Sequence, residues 1–180
     1  MNICIYGASS SNLDKKYIDS VQILGEEIAI RNHTLVFGGG TQGLMGAAVR
    51  GVQKRNGKSI GIAPTFFDTP GILHKTCDEF IFTETMRERK QIMEERSDAF
   101  IMVPGGIGTL EEFFEILTLK QLGRHDKPIV VFNINGYYDD LEKMLYKSET
   151  EGFMRPVPQK LYESFDNPYE LLDYIEKIEH

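Results

Sequence analysis

Apolar and polar positions along this chain fall into alternating blocks of two kinds. Short apolar runs occur at Asn2–Tyr6, His33–Phe37, Ser59–Ala63, Phe80–Thr83, Ala99–Val103, Pro128–Phe132 and Leu161–Phe165. Runs of this length, bounded by Gly, Pro or polar residues, predict strands. Between them lie longer stretches with helical spacing: Leu13–Arg31, Thr41–Asn56, Thr85–Ser97, Thr109–Leu122, Tyr137–Lys147 and a last one opening at Pro168. In the first of these, Ile18, Val21, Leu24 and Ile28 form one stripe. Asn167 is placed to cap the last helix, with proline at its first position. Pro64–Asp78 reads as irregular, and Gly152–Pro158 as a loop. A βαβα rhythm of this kind implies an α/β fold, a mainly parallel sheet with helices on both faces. Residues 1–180 read as a single domain without repeat or linker.

Composition narrows the function. The 180 residues carry a net charge of −7, with no basic block. That argues against nucleic acid as a partner, since a groove for phosphates needs clustered Lys and Arg. No apolar run approaches the roughly 20 residues that span a bilayer. Met1 leads straight into the first strand, so no signal peptide is expected and the reading is cytoplasmic. Cys4 and Cys77 make no disulfide framework. His33, His74, His125 and His180 show no metal-ligand spacing, so no metal is expected.

The glycines carry the chemistry. Gly7 ends the first strand, Gly38-Gly39-Gly40 the second, and Pro104-Gly105-Gly106-Ile107-Gly108 follows the strand ending at Val103. In a parallel sheet all three loops emerge at the carboxyl edge, where open α/β sheets bind ligands. The last loop runs into a helix, so unpaired backbone N–H groups and the helix dipole converge there as an anion site. Gly38 to Gly43 also fits G-x-G-x-x-G, but the following strand ends in Ile62-Ala63-Pro64 and lacks the acid that holds a ribose, which demotes NAD. Gly43 and Gly46 are expected to allow close helix–sheet packing, and Gly39 and Gly40 to approach a ligand. Arg89, in Met86-Arg87-Glu88-Arg89-Lys90, is either part of a solvated charged face or a contact to phosphate or a purine edge. Glu111 and Glu112 either complement the helix dipole or face a sugar as base or oxocarbenium stabiliser. Glu112 is expected at an exposed helix start. Phe113, Phe114, Leu117 and Gln121 offer more surface than one sheet face needs, which suggests a homodimer.

Taken together, Gly38 to Gly46, Met86 to Lys90 and Pro104 to Glu112 resemble the Lonely Guy (LOG) family of cytokinin riboside 5'-monophosphate phosphoribohydrolases, often labelled lysine decarboxylases. The resemblance extends to Gln121-Leu122-Gly123, Lys127-Pro128, Asn133 through Tyr138 and Glu151-Gly152-Phe153. It departs from the family pattern at Arg87, where a His is usual, and in the loop Ser9 to Asp14. The resemblance implies a Rossmann-like three-layer fold, homodimers or larger, and catalytic roles for Arg89 and Glu112. The expected substrate is a small-molecule nucleoside 5'-monophosphate, AMP or an N6-substituted AMP, cleaved to free base and ribose 5-phosphate without metal or cofactor. The binding set expected around the catalytic pair is Gly39, Gly40, Met86, Lys90, Gly105, Gly106, Ile107, Gly108, Thr109, Leu110, Glu111 and Thr118. Amino-acid decarboxylation would ask for PLP on a lysine, and nothing around Lys90 reads as such a site. The competing reading is a nucleotide sensor without activity.

Overall fold

The computed structural model describes residues 1–155, 157 and 160–178. Pro156 and Pro158 of the expected loop, and His180, lie outside them. Strands β1 (Asn2–Tyr6), β2 (Thr34–Phe37), β3 (Lys58–Pro64), β4 (Glu79–Thr83), β5 (Ala99–Met102), β6 (Ile129–Phe132) and β7 (Glu163–Phe165) form one sheet. Helices α1 (Lys15–Ile30), α2 (Gly43–Lys54), α3 (Met86–Glu95), α4 (Ile107–Gln121), α5 (Asp139–Thr150) and α6 (Pro168–Ile178) cover it. The strand order is β4-β3-β2-β1-β5-β6-β7, and every pairing is parallel. The chain steps outward from β1 to β4, then returns to lay β5 on the other side of β1. That reversal is a topological switch point, and loops leaving β1 and β5 there diverge to leave a crevice.

Alternation along the strands makes two cores. Ile3, Ile5, Leu35, Phe37 and Ile101 face α1, α2 and α6 in one cluster, while Cys4, Tyr6, Val36, Phe100 and Met102 face the other helical layer. Successive side chains of a strand point to opposite faces, so one buried strand feeds both. α1 and α2 approach closely because Gly25 and Gly51 carry no Cβ. One added at Gly25 would lie 2.2 Å from the Ala48 carbonyl oxygen, and one at Gly51 2.1 Å from that of Gln22.

Helix ends differ from the expected ones where capping decides them. α1 starts at Lys15 because the Asp14 carboxylate accepts the Lys16 N–H at 3.0 Å. α2 starts at Gly43 and α4 at Ile107, two residues to either side of the expected Thr41 and Thr109. α5 starts at Asp139, after a turn in which Asn135 and Gly136 take φ of 58° and 71°, and it continues to Thr150. Asn167 caps α6 as expected, accepting the Tyr169 and Glu170 N–H groups. Gly43 and Gly46 do not serve helix–sheet packing. Gly43 has φ of 62° and sits on the Ala8–Ser10 backbone, and Gly46 on the Thr41 carbonyl. The pairing that these two glycines allow is loop against helix start.

Candidate active site

Three loops at the carboxyl edge are laced together by backbone bonds. Ala8 N–H donates to Pro104 O at 3.1 Å, and Leu44 N–H to Ala8 O at 2.8 Å. The β1 loop is thereby fixed against both glycine loops. Between them opens a cavity of about 580 Å³, lined from Gly7–Ser10, Gly38, Gly40–Gln42, Met45, Met86, Arg89, Gly106–Thr109, Glu111 and Glu112. That volume is within the range of small-molecule sites. A further wall comes from Phe67, Ile72 and Leu73, in the segment that reads as irregular. It is drawn in by Thr41 N–H on Ile72 O (3.0 Å), Thr41 Oγ1 on Gly71 O (2.7 Å) and His74 N–H on Gly39 O (2.7 Å). No site residue was expected there; its signal in the sequence is a cluster of apolar residues inside an otherwise structureless stretch.

The helix starts differ in what satisfies them. Asp14 caps α1 and Asn167 caps α6. Thr85 caps α3 by accepting the Glu88 N–H, and the Glu88 carboxylate accepts the N–H of Glu84, one residue before the cap. α5 lacks a side-chain cap but carries Asp139, Asp140 and Glu142 in its first turn. Among the described residues only α2 and α4 start with neither a side-chain cap nor an acid in the first turn. Both open into the cavity. The Leu44 N–H of α2 is taken by Ala8 O, and the remaining first-turn N–H groups and the two dipoles favour a bound anion.

A buried ion pair forms the floor. Arg89 and Glu112 are 6% and 8% exposed, and Nη1 lies 2.9 Å from Oε1. The Arg89 Nε–H donates to Ile62 O at 3.2 Å. The guanidinium fills the space that Gly38 leaves: a Cβ there would lie 2.1 Å from Nη2. Thus Arg89 is not on a solvated face, and Glu112 is not at an exposed helix start. With α4 opening at Ile107, Glu112 sits beyond its first turn, about 7.5 Å along the axis, on the side facing the sheet. Burial pushes its carboxyl above the usual value of 4.5, against the downward pull of Arg89.

The expected binding residues divide. Gly40, Met86, Gly106, Ile107, Gly108, Thr109 and Glu111 line the cavity together with the pair. Gly39, Gly105, Lys90, Leu110 and Thr118 do not line it. Gly39 takes φ of 74° beside Phe80, and Gly105 lies under the Thr109 side chain. Leu110 packs into the second core, and Thr118 is on the exposed face of α4, about three turns from its start. Lys90 pairs with Glu111 and, at 2.5 Å, with Glu115. Burial pulls its amine down, but the two carboxylates outweigh it and raise the pKa. An amine turned from the cavity and held protonated does not fit a Schiff base to PLP. Of the surplus residues expected on α4, Phe113 and Leu117 are core, Phe114 is exposed and Gln121 is half-buried. Among the described residues no His, Cys, Asp and Glu side chains converge as metal ligands. Nor is any described helix long and apolar enough to cross a membrane.

Fold and site together define a Rossmann-like α/β protein whose sheet edge opens a cavity over a buried Arg–Glu pair. Residues 45–175 match the family model described as "Possible lysine decarboxylase". Cytokinin riboside 5'-monophosphate phosphoribohydrolase LOG5 of Arabidopsis thaliana is 38% identical over 174 residues, 97% of this chain and 76% of that one. LOG3 of the same plant is 38% identical over 175 residues, covering 97% and 81%. The chain belongs to this family, the LOG phosphoribohydrolases. Among solved structures, the molybdenum cofactor carrier protein of Chlamydomonas reinhardtii superposes with a TM-score of 0.75 at 21% identity, covering 98% of this chain and 96% of that one. The molybdenum cofactor binding protein of Rippkaea orientalis gives 0.70 at 22%, covering 99% and 96%. These two share the fold.

Proposed function

We propose that this protein hydrolyses the N-glycosidic bond of AMP or an N6-substituted AMP, releasing the base and ribose 5-phosphate. The observation that carries this is the Arg89–Glu112 pair, buried under a cavity into which two helix starts without side-chain caps open. The phosphate rests on the N–H groups of Gly106 to Thr109. The ribose then extends along α4 toward Glu112, far enough from the helix start that the carboxylate does not repel the phosphate. As the bond from C1' to the base breaks, its electron pair leaves on the base and positive charge develops on the sugar. Glu112 stabilises that cation or takes a proton from the attacking water. Arg89 orients the nucleotide and assists the departing base. The apolar wall of Phe67, Ile72 and Leu73 suits the base.

Chromatography of base released from AMP, an N6-substituted AMP and adenosine tests the reading. AMP-type substrates are expected to release base, and adenosine hardly at all, because only the former hold the helix starts. Tight AMP binding with no base release would instead favour a sensor. Comparable turnover of adenosine and AMP would remove the phosphate from the argument.

Thr109 is 4% exposed and lines the cavity. Thr109→Val keeps its shape and removes one hydroxyl. The expected loss is about 1–2 kcal/mol of nucleotide affinity, with kcat little changed. Calorimetric titration with AMP checks it, and unchanged affinity rules the hydroxyl out as a ligand.

The same reading includes a cytoplasmic homodimer. Its support is apolar surface left along α4 and at its C-cap, where Ile107, Phe114 and Leu122 are 87%, 39% and 63% exposed. Light scattering at micromolar concentration should give twice the chain mass, and a monomer mass would discard this part.

A further inference from the structure

We infer that Tyr137 is a positioning residue that latches the Gly105–Gly106 peptide, so that the Gly106 N–H faces the phosphate site. The inference rests on the reading of this cavity as a nucleotide site. The Tyr137 hydroxyl donates to Gly105 O at 2.8 Å. Tyr137 itself does not line the cavity, whereas Gly106 does. In a planar trans peptide the carbonyl and the following N–H point in opposite directions. No peptide in the described chain is cis. A carbonyl held outward by Tyr137 therefore turns the Gly106 N–H inward. No protein acceptor among the described residues receives that N–H.

A latch is needed because the peptide joins two glycines. Glycine reaches left-handed backbone conformations freely, so this unit could rotate and turn its carbonyl dipole toward an anion. The neighbouring bond has a different consequence. The Tyr138 hydroxyl donates to Val103 O at 2.9 Å, but the next residue is Pro104, which has no N–H to aim. Tyr138 is 3% exposed and supports the loop from within, while Tyr137 is 47% exposed. Both are held by a built turn. Asn133 accepts the Tyr138 N–H at 2.7 Å and donates to Asp139 at 2.8 Å. Asn135 and Gly136, at positive φ, complete the reversal that presents both rings to the glycine loop.

Tyr137→Phe keeps the ring and removes the latch. Titration of the whole protein with AMP and with inorganic phosphate is expected to show each bound about tenfold more weakly, the loss of one hydrogen bond to a charged ligand. Adenine affinity should stay unchanged, and where AMP is turned over the loss should fall on KM rather than kcat. Tyr138→Phe is the comparison: a lower Tm, with AMP and phosphate affinity retained. In parallel, phosphate should shift the Gly106 amide resonance of the parent and not that of Tyr137→Phe. Unchanged phosphate affinity in Tyr137→Phe overturns the latch, as does an equal loss of adenine and phosphate, or an equal loss in both Tyr variants. The binding arms need no turnover, so a parent that binds phosphate but releases no base refutes the proposed reaction and leaves the latch to be judged by its own titrations.

Discussion

Glu112→Gln is expected to release base from AMP at least about 10²-fold more slowly than the parent, the lower end of what one acid–base group contributes. AMP affinity should change only a few-fold. The carboxylate meets charge that exists in the transition state and not in the bound substrate, so kcat bears the loss. The change is isosteric, but the position is buried beside Arg89. Burial already favours the neutral carboxyl there, so stability should change little, and a thermal melt run in parallel separates any change from catalysis. The pH profile adds a second readout. Burial raises the Glu112 carboxyl above 4.5, so the acid limb of kcat/KM for the parent should lie above that value. Activity falls as pH drops through it, because the carboxylate is the working form. The stability term has the opposite sense. A folded value above the unfolded one means the contribution is full below the unfolded pKa and declines as pH rises through the folded one. Glu112→Gln should abolish both dependences. Near-parental turnover in this variant would reduce Glu112 to a partner for Arg89. Glu111 would then be the remaining carboxylate in the cavity, although its side chain is 53% exposed and tied to Lys90.

Arg89→Ala should damage fold and function together. Removing one partner of a buried pair leaves the other charge uncompensated, at a cost of about 3–5 kcal/mol. Against the roughly 5–15 kcal/mol that hold a domain folded, that is a large share. It also empties the space beside Gly38 that the guanidinium fills. Urea unfolding should show a lower midpoint with an unchanged slope. Glu112 would lose the charge that pulls its carboxyl down, so its pKa should climb further and the acid limb of activity move toward neutrality. Both KM and kcat should worsen, since a cation near the substrate acts in ground and transition states alike. Arg89→Lys restores the charge without the planar fork or the Nε–H that reaches Ile62 O, and should recover stability more than turnover. An Arg89→Ala variant with parental stability and AMP affinity would show that the pair matters to neither.

The exposed and the buried charges of α3 explain why the sequence left Arg89 open between two readings. Arg87, Glu88 and Arg89 look alike in a charge run. Only the last faces the sheet, where Gly38 makes room and Ile62 supplies a carbonyl. The same holds on α4. Phe113, Phe114 and Leu117 are equally apolar, and packing against the second core takes the first and third while Phe114 stays exposed. Gly25 and Gly51 carry no motif, yet without them α1 and α2 could not approach.

By itself, the sequence determined the alternation of strands and helices and the placing of three glycine loops on one sheet edge. Both follow from local rules: apolar periodicity is written residue by residue, and parallel strands send successive loops to the same edge. It also carried, through motif resemblance, the pairing of Arg89 with Glu112 as the chemistry to look for. The tertiary structure alone decided that these two side chains meet within 2.9 Å and out of water. It alone brought Phe67, Ile72 and Leu73 onto the cavity wall, through backbone bonds from Thr41 and His74. It alone turned Tyr137 onto the glycine loop. The physical reason is the strand order: the parallel sheet β4-β3-β2-β1-β5-β6-β7 gathers on one edge loops from distant stretches of chain, and no local periodicity connects them.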